Sequence, residues 1–146
     1  MINFRRITEK NFDEIIRMSR PVDEHFVASN AYSLAQAWLY REENDVYPFA
    51  IYNDDTAVGF MMLDEDLKER CLVLWRIMFP EKNTGRGYGT KAIHQIIKLA
   101  KESGKYDFMI LDCAPENERA RHVYEKIGFY DTGEIENGEH IMRFDF

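Results

Sequence analysis

The sequence predicts a mixed α/β fold, and three observations lead there. Apolar residues alternate with period two in some stretches and recur at helical spacing in others. The two kinds of stretch interleave as β-α-α-β-β-β-α-β-α-β-β, which is not a regular βαβ repeat. Of the 146 residues, 45% are hydrophobic and 14% aromatic, enough to bury a core without disulfides or a metal. No Pro/Ser-rich linker, repeat or low-complexity run interrupts the chain, so residues 1–146 read as one domain.

Taken in order, residues 2–7 read as a first strand. Thr8 is placed to cap a helix with Phe12, Ile15 and Ile16 on one face, ending before Pro21. A second helix spans 30–41, with Leu34, Ala35 and Trp38 at helical spacing. The period then changes to two. Tyr47, Phe49 and Ile51 alternate, Asn53-Asp54-Asp55 makes a turn, and 57–63 continues as a strand. Residues 64–70 form a charged turn before an apolar strand over 71–79, which Pro80 stops. The next helix carries Ala92, Ile93, Ile96, Ile97 and Ala100 inward and ends at Gly104. A strand over 108–113 follows. Asn117 caps a short helix to Ile127, Gly128 ends it, and the chain from Phe129 pairs through Asn137-Gly138 with 140–146.

Charge excludes some functions. Lys+Arg 19 against Asp+Glu 26 gives −7, which does not suit a nucleic-acid surface built on basic clusters. No apolar run approaches the roughly 18–20 residues of a membrane span, and the first residues lack a signal core, so the expected location is cytoplasmic. Cys71 and Cys113, far apart in apolar segments, are expected to be reduced and half-buried. The charge is also uneven. Residues 1–70 hold 14 acids and 8 bases, whereas 76–126 hold 10 bases and 7 acids. One part suits a cationic ligand and the other an anionic one.

Gly85, Gly87 and Gly89 follow a strand and open a helix, where free N–H groups and the helix dipole favour a pyrophosphate. A tight turn without ligand accounts for the same glycines. The spacing is neither the dinucleotide fingerprint nor the P-loop. Further on, residues 117–129 read Asn-Glu-Arg-Ala-Arg-His-Val-Tyr-Glu-Lys-Ile-Gly-Phe. Together the two segments resemble the GNAT superfamily of acetyl-CoA-dependent N-acetyltransferases, whose loop reads Gln/Arg-x-x-Gly-x-Gly/Ala and whose later helix reads Asn-x-x-Ala-x-x-x-Tyr-x-x-x-Gly-Phe. The match covers about residues 72–129. Thr84 stands where the family has Gln or Arg.

The resemblance implies a mostly antiparallel sheet flanked by helices, and acetyl-CoA as co-substrate. It assigns Ile77, Met78 and Phe79 to the pantetheine and the acyl carbonyl, and the loop Gly85, Arg86, Gly87, Tyr88, Gly89 and Thr90 to the pyrophosphate. It places Asn117 beside the pantetheine arm, Lys126 among the cofactor-binding residues, and Tyr124 as general acid. Residues 26–37 are similar to the helical region of bacterial spermine/spermidine acetyltransferases, implying a polyamine acceptor and allowing a homodimer. Packing between two helices explains the aromatics of that stretch equally well.

The base is not legible. Residues 72–79 contain no acid, leaving Asp23, Glu24, His25, Glu42 and Asp64-Glu65-Asp66, each also readable as a solvated surface group. Glu24, His25 and Glu42 are the expected amine-binding residues. Rival readings are acetylation of another small amine or a protein N-terminus, or a non-catalytic acetyl-CoA-binding module. His94 and His122 have no paired ligand at metal spacing, so no metal is expected.

Overall fold

A computed structural model describes residues 1–21 and 28–146. Its elements run β1 (Ile2–Arg6), α1 (Phe12–Arg17), α2 (Asn30–Leu39), β2 (Val46–Asn53), β3 (Thr56–Asp66), β4 (Cys71–Met78), α3 (Tyr88–Ser103), β5 (Phe108–Cys113), α4 (Glu118–Ile127), β6 (Tyr130–Glu136) and β7 (Glu139–Asp145). The predicted order of strands and helices holds. A 3₁₀ turn, Glu81–Asn83, separates β4 from the glycine loop.

Seven strands form one sheet in the order β1-β2-β3-β4-β5-β7-β6. Only β4 and β5 pair in parallel; every other pair is antiparallel. α3 packs Ala92, Ile93, Ile96, Ile97 and Ala100 on one face, against Leu72, Leu74, Met109 and Leu111 of the central strands. On the other face, Ile15 of α1 and Leu34 and Ala37 of α2 pack with Phe60, Met62 and Trp75. Both cysteines are buried and unbridged. Among the described residues no helix is long and apolar enough to cross a membrane.

Several boundaries differ from expectation, each for a local reason. α1 begins three residues late, capped at Asn11 and not Thr8, because Thr8 and Asn11 build a turn instead. The Asn11 side chain accepts from the Thr8 N–H (2.8 Å), and the Phe12 N–H donates to the Thr8 carbonyl (2.9 Å). Phe12 is consequently 45% exposed, while Ile15 is fully buried. On α2, Trp38 is 66% exposed and points away from the core; its ring lies under the Arg41 guanidinium at 3.5 Å. The acidic stretch 64–66 belongs to β3, not to a turn, with Asp64, Glu65 and Asp66 opposite Val73, Leu72 and Cys71. Glu65 is tolerated there because the hydroxyls of Tyr47 (2.7 Å) and Tyr106 both donate to it. That contact pushes the Tyr47 phenol up to about 12.

Asn30, only 2% exposed, joins three elements. Its amide donates to the Ile15 carbonyl of α1 (2.8 Å) and to the Met78 sulfur of β4 (3.6 Å). A buried amide with good partners contributes most through what its removal strands. Asn30→Ala should therefore lower the unfolding free energy by about 1–3 kcal/mol. Urea titration would register this as an earlier midpoint at constant slope. An unmoved midpoint would mean the amide does not secure α1.

Candidate active site

β4 and β5 pair over only four residues, from Cys71↔Phe108 to Leu74↔Leu111. Beyond that point they part. The cause lies in β4: Met62 faces Arg76 and Leu63 faces Leu74, so Trp75 is an extra, unpaired residue. Such a bulge bends its strand and raises its twist. β3 still follows β4 as far as Phe60↔Met78, and β7 follows β5 as far as Cys113↔His140. The sheet opens like a V between its two halves, and the β5-facing backbone of β4 has no strand beside it past Leu74.

Two cavities meet at this opening. The larger, about 880 Å³, is lined by Ile77, Met78 and Phe79 of β4 and by Gly85, Gly87, Tyr88, Gly89 and Thr90 at the mouth of α3. Asn117 and Tyr124 complete it from the α4 side. The smaller, about 230 Å³, is bounded by Trp75 and Arg76 of β4, Asp112 of β5 and Glu139 of β7. Ala28, Ile77, Asn117, Ala120 and Tyr124 border both.

The α3 mouth has an unusual N-terminus. α2 is capped by Ser29, whose hydroxyl accepts from the Tyr32 N–H, and α4 by Asn117, whose carbonyl oxygen accepts from the Ala120 N–H. α3 has no side-chain cap. Its first turn lacks the side-chain partner a helix start normally recruits, and its residues Tyr88, Gly89 and Thr90 line the larger cavity. Gly85 and Gly87 lie at φ +77° and +76°, where a side chain is strained, and a Cβ on either would enter open space. The Thr84 hydroxyl donates to the Glu81 carbonyl of the 3₁₀ turn, so this side chain steadies its own turn.

Tyr124 stands where the cavities meet. Its ring packs on Phe129 (centroids 6.0 Å), and its carbonyl accepts from the N–H groups of Gly128 (3.2 Å) and Phe129 (3.0 Å). Arg121, one turn earlier, ties α4 to β6 through Asp131 (3.1 Å), which His140 also meets (3.2 Å). Burial, then the nearby Cys113 and Glu139, push the Tyr124 phenol above its ordinary value, so it is protonated at neutral pH.

The other expected site residues divide. Arg86 and Lys126 are exposed and line neither cavity. Glu42 is exposed in the turn after α2 and also lines neither. Asp23, Glu24 and His25 lie outside the described residues. Asp112 and Glu139, absent from the sequence expectations, border the smaller cavity. Only alternation within their strands and the Asn137-Gly138 turn hint at where they fall.

Comparison with known proteins agrees with this geometry. The Acetyltransferase (GNAT) family profile matches residues 11–129. "Probable glucosamine 6-phosphate N-acetyltransferase 2" of Oryza sativa subsp. japonica is 43% identical over 49 residues, 34% of this chain and 27% of that protein. The uncharacterised N-acetyltransferase YbbJ of Bacillus subtilis (strain 168) is 33% identical over 100 residues, 61% of each chain. The matches thus span about a quarter and three-fifths of these two relatives. In fold, the chain superposes on spermidine N-acetyltransferase from Vibrio cholerae, crystallised with CoA and spermine, at a TM-score of 0.77. That alignment has 17% identity and covers 99% of this chain and 95% of the other. A profile spanning most of the sequence, on a sheet parted beside an uncapped helix, makes this chain a member of the GNAT acetyltransferase family.

Proposed function

We propose that the chain moves acetyl from acetyl-CoA to a primary amine by direct attack, with both substrates bound together. One observation carries this reading: Tyr124 stands at the junction of two cavities, one of them ending at the uncapped start of α3. A non-catalytic CoA-binding module would need the α3 mouth but not a protonated phenol at that junction.

The larger cavity suits CoA part by part. Helix-start N–H groups and the glycine backbone offer donors for a pyrophosphate. The unpaired β4 edge at Ile77, Met78 and Phe79 offers alternating donors and acceptors to an extended amide chain, as a neighbouring strand would. Asn117 lines the cavity and spends its carbonyl oxygen on the α4 cap, leaving its NH₂ available to a ligand. Arg86 and Lys126, exposed outside the walls, are cations able to attract phosphates at longer range.

A free alkylamine has a pKa near 10.4 and must lose a proton before attacking. Tyr124 supplies the opposite need, a proton for the departing sulfur. A thiolate with a pKa of about 8.5 is a weaker base than a free phenolate, so transfer is coupled to collapse rather than complete beforehand. For the acceptor, the finer reading is spermine or spermidine. It is supported by the −7 charge and the acidic bias of residues 1–70. A multivalent cation is drawn to such a surface.

Three measurements test these assignments. Gly87→Val should weaken CoA binding at least tenfold, about 1.4 kcal/mol, because it forces a branched side chain into positive φ at the α3 start. An unchanged Kd in calorimetric titration would remove the loop from the site. Tyr124→Phe should lower kcat by roughly 10²-fold or more, with little change in KM for acetyl-CoA. Native single-turnover rates in that variant would end the general-acid role. Finally, kcat/KM should climb from a monoamine to spermidine to spermine, and the climb should flatten between about 20 and 300 mM salt as the Debye length shortens. Equal values at low salt would reject polyamines while leaving amine acetylation standing.

A further inference from the structure

The larger cavity has two ends on different elements, the unpaired edge of β4 and the uncapped start of α3. The chain that joins them, residues 79–87, is tied to β3 at two points. At the first, the Phe79 ring lies against Gly59 of β3. A Cβ on Gly59 would fall 2.6 Å from the Met78 carbonyl oxygen, and 2.6 and 2.8 Å from Cδ1 and Cε1 of Phe79. Ordinary contact between carbons needs about 3.5–4.0 Å, so only a bare Cα admits this approach. No left-handed φ demands glycine there. The opposite edge of the same ring faces α3. Its Cε2 would stand 3.6 Å from a Cβ on Gly89, and the Tyr88 ring is tilted against it with centroids 6.4 Å apart. Phe79 thus fills the space between β3 and the first turn of α3.

At the second point, the Asn83 side chain of the 3₁₀ turn donates its amide to the Val58 carbonyl of β3 (3.0 Å). The β2–β3 register passes from Ile51↔Gly59 to Tyr52↔Ala57, so Val58 is a bulged residue with no counterpart on β2. The turn is closed internally. The Asn83 N–H donates to the Pro80 carbonyl (2.9 Å) and the Thr84 N–H to the Glu81 carbonyl (3.0 Å). Two consecutive residues of β3, Val58 and Gly59, therefore hold both ends of the stretch that leads from the β4 edge into the glycine loop.

We propose that Gly59 and Asn83 are positioning residues for acetyl-CoA. Through the Phe79 ring and the Val58 carbonyl they fix the distance from the β4 edge to the α3 start, so that one CoA molecule engages both. This role rests on the placement of CoA in the larger cavity and adds to it the residues that set the span. Gly59 does not line the cavity and acts only through Met78 and Phe79. Asn83 lines it, but its amide is committed to Val58. A ligand with two linked parts binds more tightly than either part, because the second engagement is intramolecular. That advantage is lost when the geometry forbids both at once. A pantetheine chain on β4 and a pyrophosphate on α3 are two such parts, and a misplacement of about 1 Å between them is enough to matter. Each part taken alone does not sense the span.

The test compares Gly59→Ala and Asn83→Ala with the native chain, titrating CoA, ADP and pantetheine separately by calorimetry. CoA should bind at least tenfold more weakly to either variant, while ADP and pantetheine each stay within about twofold of native. KM for acetyl-CoA should rise in step with the CoA Kd. A merely structural role would weaken all three ligands together, so a parallel loss overturns the proposal. Native CoA affinity in Asn83→Ala, or in a folded Gly59→Ala, overturns it as well. Should Gly59→Ala show no cooperative urea transition, Asn83→Ala, in the partly exposed 3₁₀ turn, decides alone. A native chain that holds CoA no more tightly than ADP or pantetheine has no span to set, which overturns this role and leaves the cavity assignment standing. A native chain that binds neither CoA nor ADP overturns both.

Discussion

The early end of the β4–β5 ladder is the constraint from which the site follows. A parallel pair inside a sheet normally continues, because each unpaired N–H and C=O away from water costs free energy. Here Trp75 inserts one residue, and β4 cannot stay in register with both neighbours. It keeps β3 and leaves β5 after Leu74. The choice is reasonable energetically. The β3 side offers several more antiparallel pairs and the buried Phe60 and Met62 beneath them, whereas the β5 side would offer a slanted parallel ladder. Two cavities and a strand edge of free backbone groups are the consequence.

The same economy explains the α3 start. α2 and α4 satisfy first-turn N–H groups with Ser29 and Asn117, yet α3, the longest of the described helices, has two glycines at positive φ before it and no capping side chain. Five buried apolar residues of α3 hold it against the sheet. That packing outweighs the missing cap, which is typically worth about 1 kcal/mol. The helix can therefore leave its dipole end bare for an anion without coming loose. On the CoA reading, local stability is given up only where the ligand would restore it.

The long-range order of the chain was legible because its signals were local and strong. α3 carries five inward apolar residues between Gly87 and Gly104, and α4 is bracketed by Asn117 and Gly128; both helices match expectation. Failures came where a side chain served something other than its own period. Phe12 and Trp38 look apolar enough to be core, but the Thr8–Asn11 turn and the Arg41 contact leave them outside. Asp64 to Asp66 look like a turn because nothing in the sequence says that two tyrosine hydroxyls, one of them 41 residues away, will satisfy Glu65. The site divides in the same way. Gly85, Gly87, Asn117 and Tyr124 belong to short motifs, whereas Asp112 and Glu139 become neighbours only through the β5–β7 ladder.

β4 itself carries no acid. The bulge turns Arg76 toward α2, so the strand that borders the larger cavity contributes backbone and apolar surface instead of a charge. Carboxylates arrive from across the opening, on strands that part from β4 but stay paired to each other. The acidic groups and Tyr124 are thus set on the β5–β7–α4 half of the molecule, braced by Arg121 and His140 on Asp131. Burial raises the Tyr124 phenol above its ordinary value. The Tyr124 phenol therefore stands protonated on one half, while the other half presents an unpaired strand edge. The gap between the halves thus opens where a single extra residue, Trp75, enters β4.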